Sequence, residues 1–287
     1  MLRLIQFAFL LAALLFATRV ADAAELRVPT DATAGAEVTI PTSGSGDATF
    51  YLVGPGTAIK RAVKLGEPVH LTGDDLRIAG RYTAVLTGSS NDSGVFYVAP
   101  GKPADVAFLA RPSRVPASTR QVVSGTAFVF DANKNLVTQP TPIDFTLAVS
   151  GGHPETRTVN SKDGVAFVIL DSGRQAGAAQ FSASIPDDNV RRVVQVTASD
   201  PCNLRMRAQA AKNGVLVETD PIRDCAGNPV PDGTIVTFTA VDSTGRSTVD
   251  ARIKKGVAQA VLPQSESAQL SVAAGVVVGN EIHWSGH

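Results

Sequence analysis

The chain has 287 residues, equal numbers of acidic and basic side chains, only 18% charged residues, and 25 Gly with 17 Pro. Such a neutral, turn-rich composition offers no electrostatic footing for nucleic acid or for an anionic membrane surface. With one Trp, two Met and 6% aromatics, the cores must be built mostly from Val, Ile, Leu, Ala and Phe.

At the N-terminus, Arg3 precedes an apolar run, Phe7 to Ala17, and then Ala21-Asp22-Ala23. A basic start, a short apolar stretch and a small-x-small site together read as a cleaved secretory signal over residues 1–23. The apolar run is too short for the roughly 20 residues that cross a bilayer. No Cys follows it, so nothing supports a lipid anchor, and no later segment is apolar enough to cross. The mature chain is expected to have no membrane span and to be periplasmic, secreted or at the cell surface.

Residues 24–100 predict short strands near 37–40, 48–53, 61–65, 68–71, 81–86 and 94–98. Within them, Asp75-Leu76-Arg77-Ile78-Ala79-Gly80-Arg81-Tyr82 fits two readings. Tyr82 is either the tyrosine corner of an immunoglobulin-like sandwich, returning its hydroxyl to an upstream backbone group, or simply a buried aromatic on a strand. Pro100-Gly101-Lys102-Pro103 and Ser199-Asp200-Pro201 interrupt the pattern and mark boundaries.

Beyond the first boundary the sequence repeats itself. Asp131 to Thr146 aligns without a gap on Asp224 to Thr239: Asp131 falls on Asp224, Asn135 on Asn228, Val137 on Val230 and Phe145 on Phe238. Gly164 to Leu170 matches Gly256 to Leu262, and Ala179 to Ala183 matches Ala268 to Val272. Three blocks in one order at one period define a repeated unit of about ninety residues, the size of a small domain. Each copy opens with a strand end and a double turn. Gly227-Asn228 can reach the left-handed region, and Pro231-Asp232-Gly233 is a second turn. Thr234 to Thr239 then alternates β-branched or aromatic residues with hydroxyls, as in a half-buried strand.

Substitutions between the copies assign the faces. Asp144 on Thr237 points outward, so Ile143/Val236, Phe145/Phe238 and Leu147/Ala240 face the core. Phe167 on Gln259 likewise turns Ala166/Ala258, Val168/Ala260 and Leu170/Leu262 inward. These short strands with frequent turns predict an all-β chain of antiparallel sandwiches. The expected domains are 24–101, 102–199 and 200–287, following the signal 1–23.

Export permits disulfides, and the two cysteines, Cys202 and Cys225, lie in the same domain. Without a nearby His they make a poor zinc site or activated thiol. A structural disulfide is expected, worth roughly 3 kcal/mol in the chain-entropy model.

Asp224-Cys225-Ala226-Gly227-Asn228-Pro229-Val230-Pro231-Asp232-Gly233 with Thr234 to Thr239, followed by Gly256 to Leu262, resembles the bacterial immunoglobulin-like domains of invasin- and intimin-type proteins. The resemblance covers 202–287 well and 103–200 fairly, where Lys134 and Leu136 replace Gly and Pro; over 24–100 it is one of class. It implies three serial immunoglobulin-like sandwiches that present or space something at a surface, without implying a ligand. No outer-membrane barrel, lectin-like tip or sortase motif accompanies them.

A hydrolase needs a nucleophile with a base held beside it. His70, His153, His283 and His287 are scattered, and Gly44-Ser45-Gly46 and Gly88-Ser89-Ser90 are turns without a nucleophile-elbow context. No catalytic or cofactor-binding residues are assigned, and an enzyme is not expected. Asp74-Asp75, Asp187-Asp188 and Asp200 read as solvated turn acids, because no Asp-x-Asp-x-Asp run offers calcium its cage of oxygens; no metal ligand is assigned. The residues singled out are Cys202 and Cys225 as a disulfide, and Asp224, Gly227, Asn228 and Gly233 as a structural turn. Gln121 to Ser124 and Val276 to Val278 are candidate exposed edges. Trp284 is expected in the core, and exposure there would hint at a sugar or protein contact. The expected function is an exported, non-enzymatic protein for adhesion, surface architecture or protein–protein contact, its protein or glycan partner unnamed. The alternative is a carbohydrate-binding accessory module, drawing on Tyr51, Tyr82, Tyr97 and Trp284.

Overall fold

The computed structural model describes residues 24–88, 91–149 and 151–286, and every helix or strand among them is a strand. The expected signal segment and Ser89-Ser90 lie outside the described residues. Strand pairing among the described residues falls into three sets, and none crosses residues 100–104 or 198–200. By compactness the chain divides in two: Met1–Asp105 with Phe130–Thr138, and Val106–Val129 with Gln139–His287.

The first set comprises β1 (Glu25–Leu26), β2 (Ala32–Thr33), β3 (Val38–Ile40), β4 (Thr42–Ser43), β5 (Asp47–Gly54), β6 (Thr57–Lys64), β7 (Val69–Leu71), β8 (Gly80–Thr87) and β9 (Asp92–Ala99). Its main sheet has the order β2-β9-β8-β5-β6, antiparallel except that β2 runs parallel to β9. Strict alternation on β5 and β8 buries Phe50, Leu52, Tyr82, Ala84 and Leu86 on one face. All six predicted strands are present; β1, β2 and β4, two residues each, were too short to leave a periodic signal.

The second set is β10 (Asp105–Arg111), β11 (Arg114–Pro116), β12 (Val123–Phe130), β13 (Pro142–Val149), β14 (Glu155–Asn160), β15 (Val165–Leu170), β16 (Gly177–Ile185) and β17 (Asp188–Thr197). It forms the sheets β10-β12-β15 and β11-β17-β16-β13-β14. Ile143, Phe145 and Leu147 are buried, and Phe108, Phe145 and Phe181 meet as tilted and edge-on rings with centroids 4.9–6.4 Å apart. Gly125 leaves room for them: a Cβ there would lie 2.7 Å from the Phe181 ring. Val123 and Ser124 do not form an edge as expected. They open β12, the middle strand of its sheet, and Val123 is fully buried.

The third set is β18 (Pro201–Cys202), β19 (Met206–Ala211), β20 (Gly214–Thr219), β21 (Arg223–Asp224), β22 (Ile235–Asp242), β23 (Gly245–Arg252), β24 (Gln259–Leu262), β25 (Ser267–Ala274) and β26 (Val277–Ser285). Its sheets are β18-β21, β19-β20-β24 and β23-β22-β25-β26. Val236, Phe238, Leu262 and Leu270 fill the core. The copies correspond down to side-chain bonds. Asp144 lies across the strand pair from Thr158 and accepts its hydroxyl at 2.5 Å, while Thr237 lies across from Asp250 and donates to it at 2.6 Å. Acid and hydroxyl have exchanged strands and kept the outward bond. Val276, just before the edge strand β26, and Val278, within it, are exposed, as anticipated.

A further device is common to all three sets. An acid or amide in the first half of the last long strand accepts an N–H from β1, β10 or β19: Leu26 N donates to Asp92 at 2.6 Å, Val106 N to Asp188 at 2.8 Å, and Met206 N to Asn280 at 2.7 Å. Asp188, considered above as a turn acid, is therefore a structural acceptor. The first set carries the same latch although its sequence lacks the repeat.

Candidate functional site

The turn Asp224 to Asn228 is built around one carboxylate. Asp224 is buried. Its Oδ1 accepts from Ala226 N at 2.9 Å and Asn228 N at 2.8 Å. Its Oδ2 accepts from Ser199 N at 3.1 Å and Asn228 Nδ2 at 2.8 Å. Four donors satisfy a group that would otherwise be costly to bury. The Asn228 amide faces two ways. Besides Asp224, its Nδ2 donates to Arg174 O at 2.8 Å, and its Oδ1 accepts from Ala176 N at 2.9 Å. One side chain thus pairs with the carbonyl and N–H of alternate residues, as a neighbouring strand would. It clasps the loop between β15 and β16, and every residue involved lies in the second compact unit.

The same arrangement recurs in the first unit, which holds residues 130–138. Asp131 Oδ1 accepts from Asn133 N at 2.9 Å and Asn135 N at 2.8 Å; its Oδ2 accepts from Gly101 N at 2.7 Å and Asn135 Nδ2 at 2.9 Å. Asn135 Nδ2 donates to Arg77 O at 3.0 Å, and its Oδ1 accepts from Ala79 N at 2.8 Å. Both clasps reach the loop before the strand that follows the opposite sheet's edge, at a carbonyl and at the N–H two residues on.

The backbone of the turn is shared even where its residues differ. Gly227 takes φ +88°, and Lys134, which replaces it, takes φ +66°. A non-glycine residue bears that strain only where its surroundings enforce it; the Asp131 bonds do so here. Asn228 does not itself adopt a positive φ. Its importance lies in the side-chain amide, which propensity reasoning about Gly-Asn turns overlooks. The available signal was that Asp and Asn persist between copies whose intervening residues do not.

Tyr82 resolves between its two readings. Fully buried, its Oη donates to Ile78 O at 2.8 Å, so the corner forms. Burial pushes its phenol up, keeping it a donor. Ile78 O is held from within by Tyr82, while Arg77 O and Ala79 N on either side are held by Asn135. Tyr82→Phe is expected to cost about 1–2 kcal/mol, read as faster exchange of amides across β8 relative to those of β22. In the second set Ala179 stands at the Tyr82 position. There the loop is tied instead by Ser172, which accepts from Thr119 N at 3.0 Å.

Cys202 and Cys225 form a disulfide with Cα atoms 4.9 Å apart. It joins β18 to the residue after Asp224, beside the Ser199–Asp224 bond. Gly233, at φ +90°, ends the second turn and donates its N–H to Ile253 O at 2.8 Å. Asp75 receives both Arg61 Nη2 contacts, at 2.7 and 2.9 Å, and Thr72 N. Among the described residues, no three His, Cys, Asp or Glu come together to hold a metal, and no helix is long and apolar enough to cross a membrane.

Burial alone would push the carboxyls of Asp131 and Asp224 up. The donors from Asn135 and Asn228, joined by the backbone N–H groups of Gly101 and Ser199 and of the turns, outweigh it and hold both below the usual carboxylate range. Because the folded values lie below the unfolded ones, each acid contributes stability that is present above about pH 4 and lost as pH falls through its folded value. Melting curves should therefore show the penalty of Asp224→Asn in full at neutral pH and shrinking as pH falls below the usual carboxylate range.

No family model and no curated protein matches the chain. Solved structures do. The chain is similar to FdeC, an Escherichia coli adhesin, with TM-score 0.58 and 16% identity over 92% of this chain and 96% of that one. It is similar to Yersinia pseudotuberculosis InvD at TM-score 0.52 and 14% identity, covering 91% and 96%. It also resembles invasin, described as a bacterial integrin-binding protein, at TM-score 0.52 and 12% identity over 89% of this chain but only 57% of that one. The chain has the fold of the serial immunoglobulin-like domains of these bacterial adhesins.

Proposed function

We propose that this is an exported, non-enzymatic surface protein of three serial sandwiches, 24–101, 102–199 and 200–287, acting in adhesion or protein–protein contact. The observation that carries the reading is the pair of asparagine clasps. A chain that spaces or presents a surface needs its modules tied to what precedes them, and the same six-residue constellation does this twice. The likeness in fold to adhesins supports the same direction.

The second set also offers a surface for contact. Leu109, Phe128, Phe167 and Ile169 all project from the outward face of the sheet β10-β12-β15, with Phe167 54% exposed. Clustered exposed apolar side chains on a soluble domain mark contact sites, and the third set places Gln259 where Phe167 stands. A carbohydrate platform loses one of its four aromatics, since Tyr82 is buried in the core. Protease treatment of intact producing cells should remove the protein, and cells lacking it should adhere less to a host or neighbouring surface. Retention of the full chain inside protease-treated cells, with adherence unchanged, would refute the proposal.

A further inference from the structure

The bridge between Cys202 and Cys225 is an addition to its turn and not a condition of it. Three residues after the backbone donor of each turn, Ser199 or Gly101, stand Cys202 and Ala104. Cys202 pairs with Arg223, and Ala104 N donates to Phe130 O at 2.8 Å. Phe130 and Ala132 thus take the places of Arg223 and Cys225 in the earlier copy. With Ala104, Phe130 and Ala132 there, the Asp131 carboxylate still gathers its four donors. Neither the cysteines nor Arg223 are needed to close the turn.

The surroundings of the bridge are cationic. Cys225 is exposed and Cys202 half-buried. Cys225, but not Cys202, lines a groove of about 410 Å³ together with Arg120, Asp171 and Arg174 among others. The acid there, Asp171, accepts from Gln121 N at 2.9 Å. Arg120 and Arg174 are exposed and belong to none of the ion pairs among the described residues. Arg223 lies across the strand pair from Cys202, which puts its side chain on the face that carries the bridge. Its Nη1 donates to Gly227 O at 2.8 Å, holding the guanidinium over the turn that contains Cys225.

Thiol–disulfide exchange needs an attacking thiolate, access to one sulfur and a stabilised departing sulfur. Arg120 and Arg174 draw an anion into the groove, and Arg223 stands across from the cysteine that must leave. We propose that Cys225 is a modification site, at which a small carboxylate-bearing thiol exchanges with the bridge. The incoming thiolate attacks Cys225 Sγ from the groove. A new S–S bond forms as the Cys202–Cys225 bond breaks. The electron pair leaves on Cys202 Sγ, which takes a proton from solvent. The thiol is the one co-reactant, and one disulfide is exchanged for another. Thiolation frees Cys202 and with it the β18–β21 pair beside the Asp224 turn. The inference does not depend on the surface-contact reading.

The probes are reduced glutathione, which is anionic, and cysteamine, which is cationic, each added to the full exported chain at equal thiolate concentration. Samples quenched in acid and mapped by mass spectrometry give the rate of bridge opening and the position of the adduct. At low salt, glutathione is expected to open the bridge about tenfold faster than cysteamine, the lower range of electrostatic steering. The advantage should shrink at high salt and vanish in Arg120→Gln with Arg174→Gln. The glutathione adduct should sit on Cys225, with Cys202 free to alkylate. Should the double variant fail to fold, the salt dependence of the wild type decides alone. Equal rates at low salt, or an advantage that survives loss of both groove arginines, overturns the proposal. So does an adduct on Cys202, or a bridge left intact by millimolar glutathione.

Discussion

Replacing Asp224 with alanine is expected to destabilise the chain by about 3 kcal/mol, and Asp131→Ala by at least as much. Each carboxylate accepts four hydrogen bonds, from Ala226 N, Asn228 N, Ser199 N and Asn228 Nδ2 in one case and from Asn133 N, Asn135 N, Gly101 N and Asn135 Nδ2 in the other. Truncation removes the acceptor and leaves the donors behind. Hydrogen bonds to a charged group contribute about 1.5–3 kcal/mol each, but water reaches part of the turn and reduces the sum. Asp131 is 1% exposed against 4% for Asp224, which puts its loss at the higher end. Urea titration followed by circular dichroism measures both. Asn228→Ala should cost less, because the four-donor carboxylate remains with three backbone partners. A loss under about 0.5 kcal/mol for either aspartate, the range of ordinary surface substitutions, would show that the carboxylate does not organise the turn.

The second large effect concerns Cys202 and Cys225. Reduction, or Cys202→Ser with Cys225→Ser, is expected to cost about 3 kcal/mol in the chain-entropy model for a bridge spanning 23 residues. The loss should be local. β18 pairs with β21 through Pro201–Asp224 and Cys202–Arg223, so the two-stranded sheet beside the turn opens first. The Asp131 turn has no disulfide and should be unaffected. Amide exchange with and without reductant separates the two cases: faster exchange near Arg223 and unchanged exchange near Phe130 is the expected pattern. Uniform acceleration throughout the chain would contradict it.

The buried faces were legible in the sequence because alternation and the repeat reinforced each other. Asp144 on Thr237 identified the outward position, and Phe145 and Phe238 were then necessarily inward. Strands of six or more residues left such a pattern. Two-residue strands such as β1 and β2 did not, since their pairing is decided by tertiary register. Val122-Val123 misled for a related reason: a valine pair reads alike on an edge and in the centre of a sheet, and only the partners β10 and β15 distinguish them. The clasps lay at the limit of legibility. That Asp and Asn persisted while Gly became Lys showed that the position mattered. What Asn228 touches, the backbone of Arg174 and Ala176, is some fifty residues away and carries no side-chain signature. A side chain that reads only main chain leaves no trace in its partner's sequence. The edge position of β26 was half visible as a valine run at its start, but that its sheet has four strands among the described residues where the others have five appears only when the three sheets are compared.

The clasps are tested most directly by amide hydrogen exchange at Ala79 and Ala176 in the wild type and in Asn228→Ala. Both amides donate to an asparagine Oδ1 rather than to a strand partner, so their protection depends on that one bond. Protection at both positions in the wild type, lost at Ala176 alone in the variant while Val194 stays protected, is the expected result. Free exchange of both amides in the wild type, or protection of Ala176 that survives removal of the Asn228 side chain, would contradict it.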